Sequence, residues 1–237
     1  MEKKYAKIVA ASFAKVGTQT VDRSLKEKCE HAQSIVRLKK YFENGNTLFI
    51  CGVREFVGRN MSYFFQTISD KTHNDVKHKG NDYKGELCFL GEQQAVQKMD
   101  IDFLIDTFYK RKWIHETPVV WFEEFFETVG FNYKTEAFNK EKGYQFYNLK
   151  NNNNLLLYRL DDIVAMIKNV DIFKNKVIST NIGAKKWYKS QYKNFKDEIS
   201  FSDEYLEKQL NNDVMKFFYL DKEKDTFIKK YRVGGKI

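Results

Sequence analysis

Ser12-Phe13-Ala14-Lys15-Val16-Gly17-Thr18-Gln19-Thr20 is the stretch on which the reading of this chain turns. Ahead of it runs an apolar, β-prone segment, Ile8 to Phe13. Behind it Val21, Leu25 and Cys29 recur at i, i+4 and i+8, the spacing of one helix face. A strand, a short loop carrying a glycine and hydroxyls, and then a helix form a geometry suited to anions. N–H groups left open at a helix N-terminus and the helix dipole both point at such a loop. Lys15 adds a positive charge, and Thr18 and Thr20 add hydroxyl donors. The alternative is an ordinary strand-to-helix turn with a solvated lysine.

The order of residues is not that of a Walker A loop, G-x-x-x-x-G-K-[ST], in which the lysine follows the glycine. Here Lys15 precedes Gly17 by two positions.

Outward from this loop, Thr47 to Val53 is a continuous apolar run, as expected of a parallel strand buried on both faces. It ends at Arg54, and Val57, Met61, Phe64, Phe65 and Ile68 then mark a helix. Between the two lies His31 to Ile35, either a second strand or a continuation of the first helix. Residues 69 to 85 are polar and read as a surface excursion, and Glu86 to Leu90 as a short strand. Asp100 to Lys112 is an amphipathic helix, and Trp121, Phe122, Phe125, Phe126 and Val129 mark another. Asn151 to Asn154 separates two β-like runs, Tyr144 to Leu149 and Leu155 to Leu160, which makes a hairpin, since Asn tolerates left-handed backbone. A helix follows from Asp161, and from Lys185 on the chain is helical, basic and aromatic. Strands alternating with helices predict an α/β fold with a central, mainly parallel sheet flanked by helices. Ligands in such folds bind at the carboxyl ends of the strands, where Lys15, Arg54 and Arg159 would lie. With one proline, Pro118, and no Gly/Ser/Pro-rich linker, residues 1–237 read as a single domain.

Composition narrows the classes. Hydrophobic residues at 42% and charged residues at 31% are those of a globular chain, not a disordered one. No apolar run approaches the ~20 residues needed to cross a bilayer, and Met1-Glu2-Lys3-Lys4 leads straight into a strand without a cleavage site. Cys29, Cys51 and Cys88 are widely spaced and odd in number, so neither a zinc site nor a disulfide framework is suggested. A reducing, cytoplasmic setting follows, at most peripheral to an inner membrane. The net charge of +9 favours an anionic partner, though Lys is abundant throughout.

The second informative stretch is Arg54-Glu55-Phe56-Val57-Gly58-Arg59-Asn60-Met61-Ser62. An Arg at a strand end and a hydroxyl on the following helix can converge on one phosphate; the alternatives are a structural ion pair for Arg54 and a solvated helix position for Ser62. Lys-x-Gly-Thr-x-Thr after a first strand, then Arg-x7-Ser after a later one, resembles the sulfotransferase family, with its P-loop-like fold. The resemblance extends to a bacterial family of capsular polysaccharide synthesis proteins bearing a Lys-Trp-Tyr-Ser motif. The matching residues are Arg54-Glu55-Phe56, Arg59-Asn60-Met61-Ser62-Tyr63-Phe64-Phe65, Trp121-Phe122-Glu123-Glu124, Arg159-Leu160-Asp161-Asp162 and Lys186-Trp187-Tyr188-Lys189. Phe56, Asp161 and Lys189 depart from the family's Pro, Glu and Ser.

The resemblance implies transfer of a sulfuryl group from 3′-phosphoadenosine 5′-phosphosulfate (PAPS) to a glycan hydroxyl, leaving adenosine 3′,5′-bisphosphate, without a metal. It assigns Lys15, Val16, Gly17, Thr18, Gln19 and Thr20 to the 5′-phosphosulfate and Arg54 and Ser62 to the 3′-phosphate. Lys185, Lys186 and Trp187 would form a closing loop, Tyr188 being equally a core residue. A general base must take the acceptor's proton. The candidates are His31, His115 and the Glu123-Glu124 pair, with His31 ranked first for its intrinsic pKa and Glu123 second.

Two other classes compete. Asp100-Ile101-Asp102 has the D-x-D form of a metal–nucleotide-sugar site of a glycosyltransferase, but acids at a helix start are also expected as caps. A catalytically inactive binder of a polyanion or nucleotide is the other; no nucleic-acid-binding motif is present.

Overall fold

The computed structural model describes residues 5–69, 77–78, 81–82, 90–178 and 186–232. In chain order the elements are β1 (Lys7–Ala11), α1 (Thr18–Ser24), β2 (Glu30–Ala32), α2 (Ile35–Asn44), β3 (Thr47–Val53) and α3 (Phe56–Thr67). A two-residue antiparallel pair, β4 (Lys77–His78) and β5 (Asn81–Asp82), precedes α4 (Gln93–Val96), α5 (Ile101–Lys110) and α6 (Lys112–Thr128). Then come β6 (Tyr144–Asn148), β7 (Asn154–Arg159), α7 (Ile163–Asn169), α8 (Lys189–Glu198), α9 (Asp203–Leu210), α10 (Asp213–Phe218) and α11 (Asp221–Arg232). They form two compact units. The first takes its described residues from 1–54, 119–181 and 213–220, the second from 55–118, 182–212 and 221–237. Because each unit draws on three stretches, no linker-like composition marks a boundary.

The first unit is an α/β sheet of order β2-β1-β3-β7-β6. β2, β1, β3 and β7 are parallel, and β6 joins antiparallel through the hairpin, so the sheet is mixed but mostly parallel. One face carries Ile8, Ala10, Leu48, Ile50, Leu156 and Tyr158 against Val21 and Leu25 near α1 and Ile163, Met166 and Ile167 of α7. On the other face Phe49 meets Phe125 of α6, ring centroids 6.4 Å apart. β3 is buried at all seven positions, as its unbroken apolar run requires.

The expected hairpin forms, with Asn151 and Asn152 left-handed at φ 58° and 55°. Asn153, 1% exposed, ties it to β3: its Oδ1 accepts from the Thr47 N–H at 2.9 Å and its Nδ2 donates to the Phe42 carbonyl at 2.8 Å.

The first helix is shorter than its periodicity predicts. It stops at Ser24, and Leu25 turns extended and bridges to Phe173. Val21, Leu25 and Cys29 all reach the same core, so their spacing recorded a buried face rather than a continuous helix. The open alternative for His31 to Ile35 resolves as a strand ending at Ala32 and a helix starting at Ile35. β7 leads first into one turn of 3₁₀ helix, Leu160–Asp162, and only then into α7. The expected strand at Glu86 to Leu90 falls, but for Leu90, outside the described residues, as does most of 69–85.

The second unit is helical around an aromatic core. Phe64 lies edge-on to Phe65 and Phe108, at 5.3 and 5.4 Å, and Phe65 packs on Tyr188, Tyr192 and Phe195. The abundant Phe and Tyr of the sequence are mainly spent here and under the sheet. No helix among the described residues is long and apolar enough to cross a membrane.

Candidate functional site

The loop after β1 lies at the point where the sheet's connections diverge. β1 continues through α1 to β2 on one side, and its other neighbour β3 leads onward to β7 on the opposite side. The crevice outside two such strand ends is where open α/β sheets take ligands. Ser12 to Gly17 leave β1 at this crevice, and Arg54 leaves β3 there, half-buried.

The loop's backbone is unusual. Ala14 and Lys15 are left-handed at φ 33° and 68°, followed by Gly17 at 81°. For the two non-glycine residues that conformation costs about 1 kcal/mol or more each, so the surroundings must enforce it. The neighbouring Val16 and Gly17 are fixed by contacts to β7 and the segment after it. The buried Tyr158 of β7 donates its hydroxyl to the Val16 carbonyl at 2.7 Å. A Cβ on Gly17 would come within 2.7 Å of Ile163 Cδ1 and 2.8 Å of Leu160 Cδ1, so a side chain there would have to displace these two side-chain ends as well as adopt a strained φ.

The donors around the loop are an ammonium, hydroxyls and amides, the set a phosphate or sulfate needs. The N–H groups of Thr20 and Val21, however, bond to the Gly17 carbonyl at 2.9 and 3.1 Å. The Thr20 N–H is thus spent on the first turn of the helix. With seven residues, α1 also contributes only a weak dipole.

His31 lies on β2 opposite Ala10, and its Nε2 is 3.2 Å from Asp22 Oδ2 on α1; both side chains are well exposed. In the neutral ring an Nε2–H donated to Asp22 leaves the Nδ1 lone pair as proton acceptor. Asp22 had no signal in the sequence, because its proximity to His31 depends on α1 folding back along β2. Glu123 is exposed and lines a surface depression with Phe126 and Tyr133. It stands about 200° around α6 from Trp121, whose ring meets Phe13 of the β1 loop at 5.8 Å and whose Nε1 donates to the Gln33 carbonyl at 2.8 Å. Trp121 therefore faces the carboxyl edge of the sheet and Glu123 points away from it. His115, in the second unit, is a buried neutral imidazole. Tyr205 donates to its Nδ1 at 2.9 Å, and its Nε2 bonds to the Phe108 carbonyl at 2.8 Å. Burial pushes its pKa down to about 4, and with both nitrogens engaged it is not a free base.

Much of the motif pattern turns out to be packing. In the second unit Arg59 is 1% exposed, donates to the Ile114 carbonyl at 3.3 Å and stacks 4.4 Å over Tyr63, while Asn60 donates to Gln209. Phe64 and Phe65 are core. Ser62 is half-buried on α3, and Glu55 caps that helix, accepting from the Gly58 N–H at 2.7 Å and from the Tyr231 hydroxyl at 2.8 Å. Tyr188 is buried against Phe65, Trp187 is half-buried with its carbonyl accepting from Gln97, and Lys186 lies 5.9 Å over the Tyr188 ring. Lys185 lies outside the described residues. In the first unit Arg159, expected at the ligand edge, is buried and donates to Asp162 at 2.6 Å. Asp100 accepts from the N–H groups of Asp102 and Phe103, which makes it the N-cap of α5 and removes the D-x-D pattern as support for a glycosyltransferase.

Comparison of the chain with protein-family models, curated proteins and solved structures gives no match. The resemblance to sulfotransferases thus rests on the sequence motifs alone.

Proposed function

We propose that this protein transfers a sulfuryl group from PAPS to a hydroxyl of a glycan, the β1 loop holding the donor's 5′-phosphosulfate. The observation that carries the reading is the enforced left-handed backbone of Ala14 and Lys15 on the loop that leaves β1 beside β3. Strain of this kind persists where function uses it, and a cationic loop at the sheet's switch point suits a nucleotide phosphate.

PAPS supplies an activated sulfuryl group on a phosphate leaving group. The protein's part is positioning and charge stabilisation, as in phosphoryl transfer. Lys15 neutralises the charge that grows on the bridging oxygen as the S–O bond to phosphate breaks. His31, steadied by Asp22, takes the proton of the attacking hydroxyl as the new O–S bond forms. Arg54 offers a guanidinium fork to the 3′-phosphate. Ser62, Lys186 and Trp187 belong to the second unit and enter this reading, with Lys185, through the resemblance alone. The glycan acceptor is likewise inferred from the capsule-associated family.

Calorimetric titration with adenosine 3′,5′-bisphosphate tests the reading. Saturable binding that falls about tenfold or more in Lys15→Ala and Arg54→Ala, with the melting temperature kept, supports it. No heat of binding at millimolar ligand overturns it.

A further inference from the structure

A cavity of about 520 Å³ lies in the first unit, between the stretch after α6 and the helix α10. That volume is within the range of small-molecule sites, roughly 300–1,000 Å³. Tyr133, Phe138 and Phe217 supply its aromatic wall: the Phe217 ring stands 5.7 Å from Phe138 and 5.9 Å from Tyr133. Lys134, Lys140 and Lys216 stand around it, with the carboxylates of Glu136 and Asp213.

The charges are not used up by one another. Lys134 and Asp213 are 4.0 Å apart and both largely exposed, a pair that water and salt weaken readily. The Lys140 ammonium donates to the Lys216 carbonyl at 2.6 Å, which fixes it beside α10 and leaves two of its three protons for other acceptors. Lys216 and Glu136 make no ion pair among the described residues. Three ammonium groups against two carboxylates leave a positive excess beside the aromatic wall.

We propose that this cavity binds a short acidic oligosaccharide. The largely buried aromatic wall suits the C–H groups of a sugar, the lysine excess suits carboxylate or sulfate substituents, and Glu136 and Asp213 suit sugar hydroxyls as hydrogen-bond acceptors. A neutral sugar would leave the excess lysine uncompensated. A small inorganic anion would leave the rings unused and meet two carboxylates. The proposal is independent of the β1 loop and of sulfuryl transfer.

The test is calorimetry on the whole chain with a galacturonic acid trimer, maltotriose, inorganic sulfate and a glutamate-rich peptide. The uronate trimer should bind saturably, and maltotriose and sulfate about tenfold or more weaker. Lys216→Glu, at an exposed position, should weaken the trimer by about tenfold while the melting temperature is kept, and Lys140→Ala should weaken it less. Lys15→Ala should leave it unchanged, which separates this cavity from the β1 loop. Absence of saturable trimer binding, unchanged affinity in both lysine variants, or tighter binding of the peptide than of the trimer would overturn the proposal.

Discussion

The hydroxyl of Tyr158 donates to the carbonyl of Val16 at 2.7 Å, joining β7 to the loop that leaves β1. The contact crosses β3 and needs Gly52 there: a Cβ at that position would lie 2.3 Å from the Tyr158 ring. A glycine in the middle of a fully buried strand costs backbone entropy, and the space it opens is what lets the phenol reach the loop. The brace bears on function because Val16 follows Lys15 directly.

Tyr158→Phe should keep the packing and lose the bond, leaving a carbonyl of the buried Val16 without this donor. We expect a loss of about 1–2 kcal/mol in unfolding free energy and weaker binding of adenosine 3′,5′-bisphosphate. Gly52→Ala should cost more, about 1–3 kcal/mol from overpacking, with the same effect on the loop. Denaturant titration and calorimetry read both.

Unfolding free energy should also depend on pH through His115. Its pKa is about 4 in the folded protein against an ordinary 6.5, because burial disfavours the charged ring. The unfolded chain therefore takes up a proton that the folded one refuses. Stability from this group is full above pH 6.5 and is lost as pH falls from 6.5 towards 4. The 2.5-unit difference corresponds to about 3 kcal/mol. Denaturation of wild type and His115→Gln at a series of pH values should show the difference in slope within that window; parallel curves would refute it.

The Arg159–Asp162 pair gives a third expectation. Arg159 is 5% exposed and Asp162 lies close to Gly143, where a Cβ would come within 2.0 Å of its Oδ2. Asp162→Ala removes the partner of a buried guanidinium and should cost about 2 kcal/mol, less than for a fully enclosed pair because Asp162 is a quarter exposed. Gly143→Ala should destabilise as well, since it displaces the same carboxylate and sits at φ 74°.

Asp100→Ala should lower stability by about 1 kcal/mol, the usual worth of an N-cap, and leave adenosine bisphosphate binding unchanged. A change in metal or nucleotide-sugar binding in that variant would restore the D-x-D reading.

The sequence was most legible where burial and local geometry act along the chain. Thr47 to Val53 could only be an inner strand, Asn151 and Asn152 could only sit at a tight turn, and Val57 to Ile68 repeats on a helix face. It was least legible where one residue serves a distant one. Arg159 read as lying at the ligand edge, and Arg59 and Asn60 as part of a motif, because polar side chains look alike in sequence whether they meet a ligand or a buried carbonyl. Glu55 hid as the neighbour of Arg54, and Asp22 as an unremarked helix residue. The spacing of Val21, Leu25 and Cys29 overstated α1, since hydrophobic periodicity reports which residues are buried and not where the backbone stops turning.

The amino-acid order by itself determined the α/β class, the parallel run of the central strands and the cationic loop after β1, because these follow from periodicity, glycine placement and charge within a few residues. Only the tertiary structure decided that the Val16 carbonyl, next to the left-handed Lys15, is bonded to Tyr158, that His31 is paired with Asp22, and that His115 is buried with both ring nitrogens engaged. Each of these depends on groups brought together from separate elements, which spacing along the chain does not record.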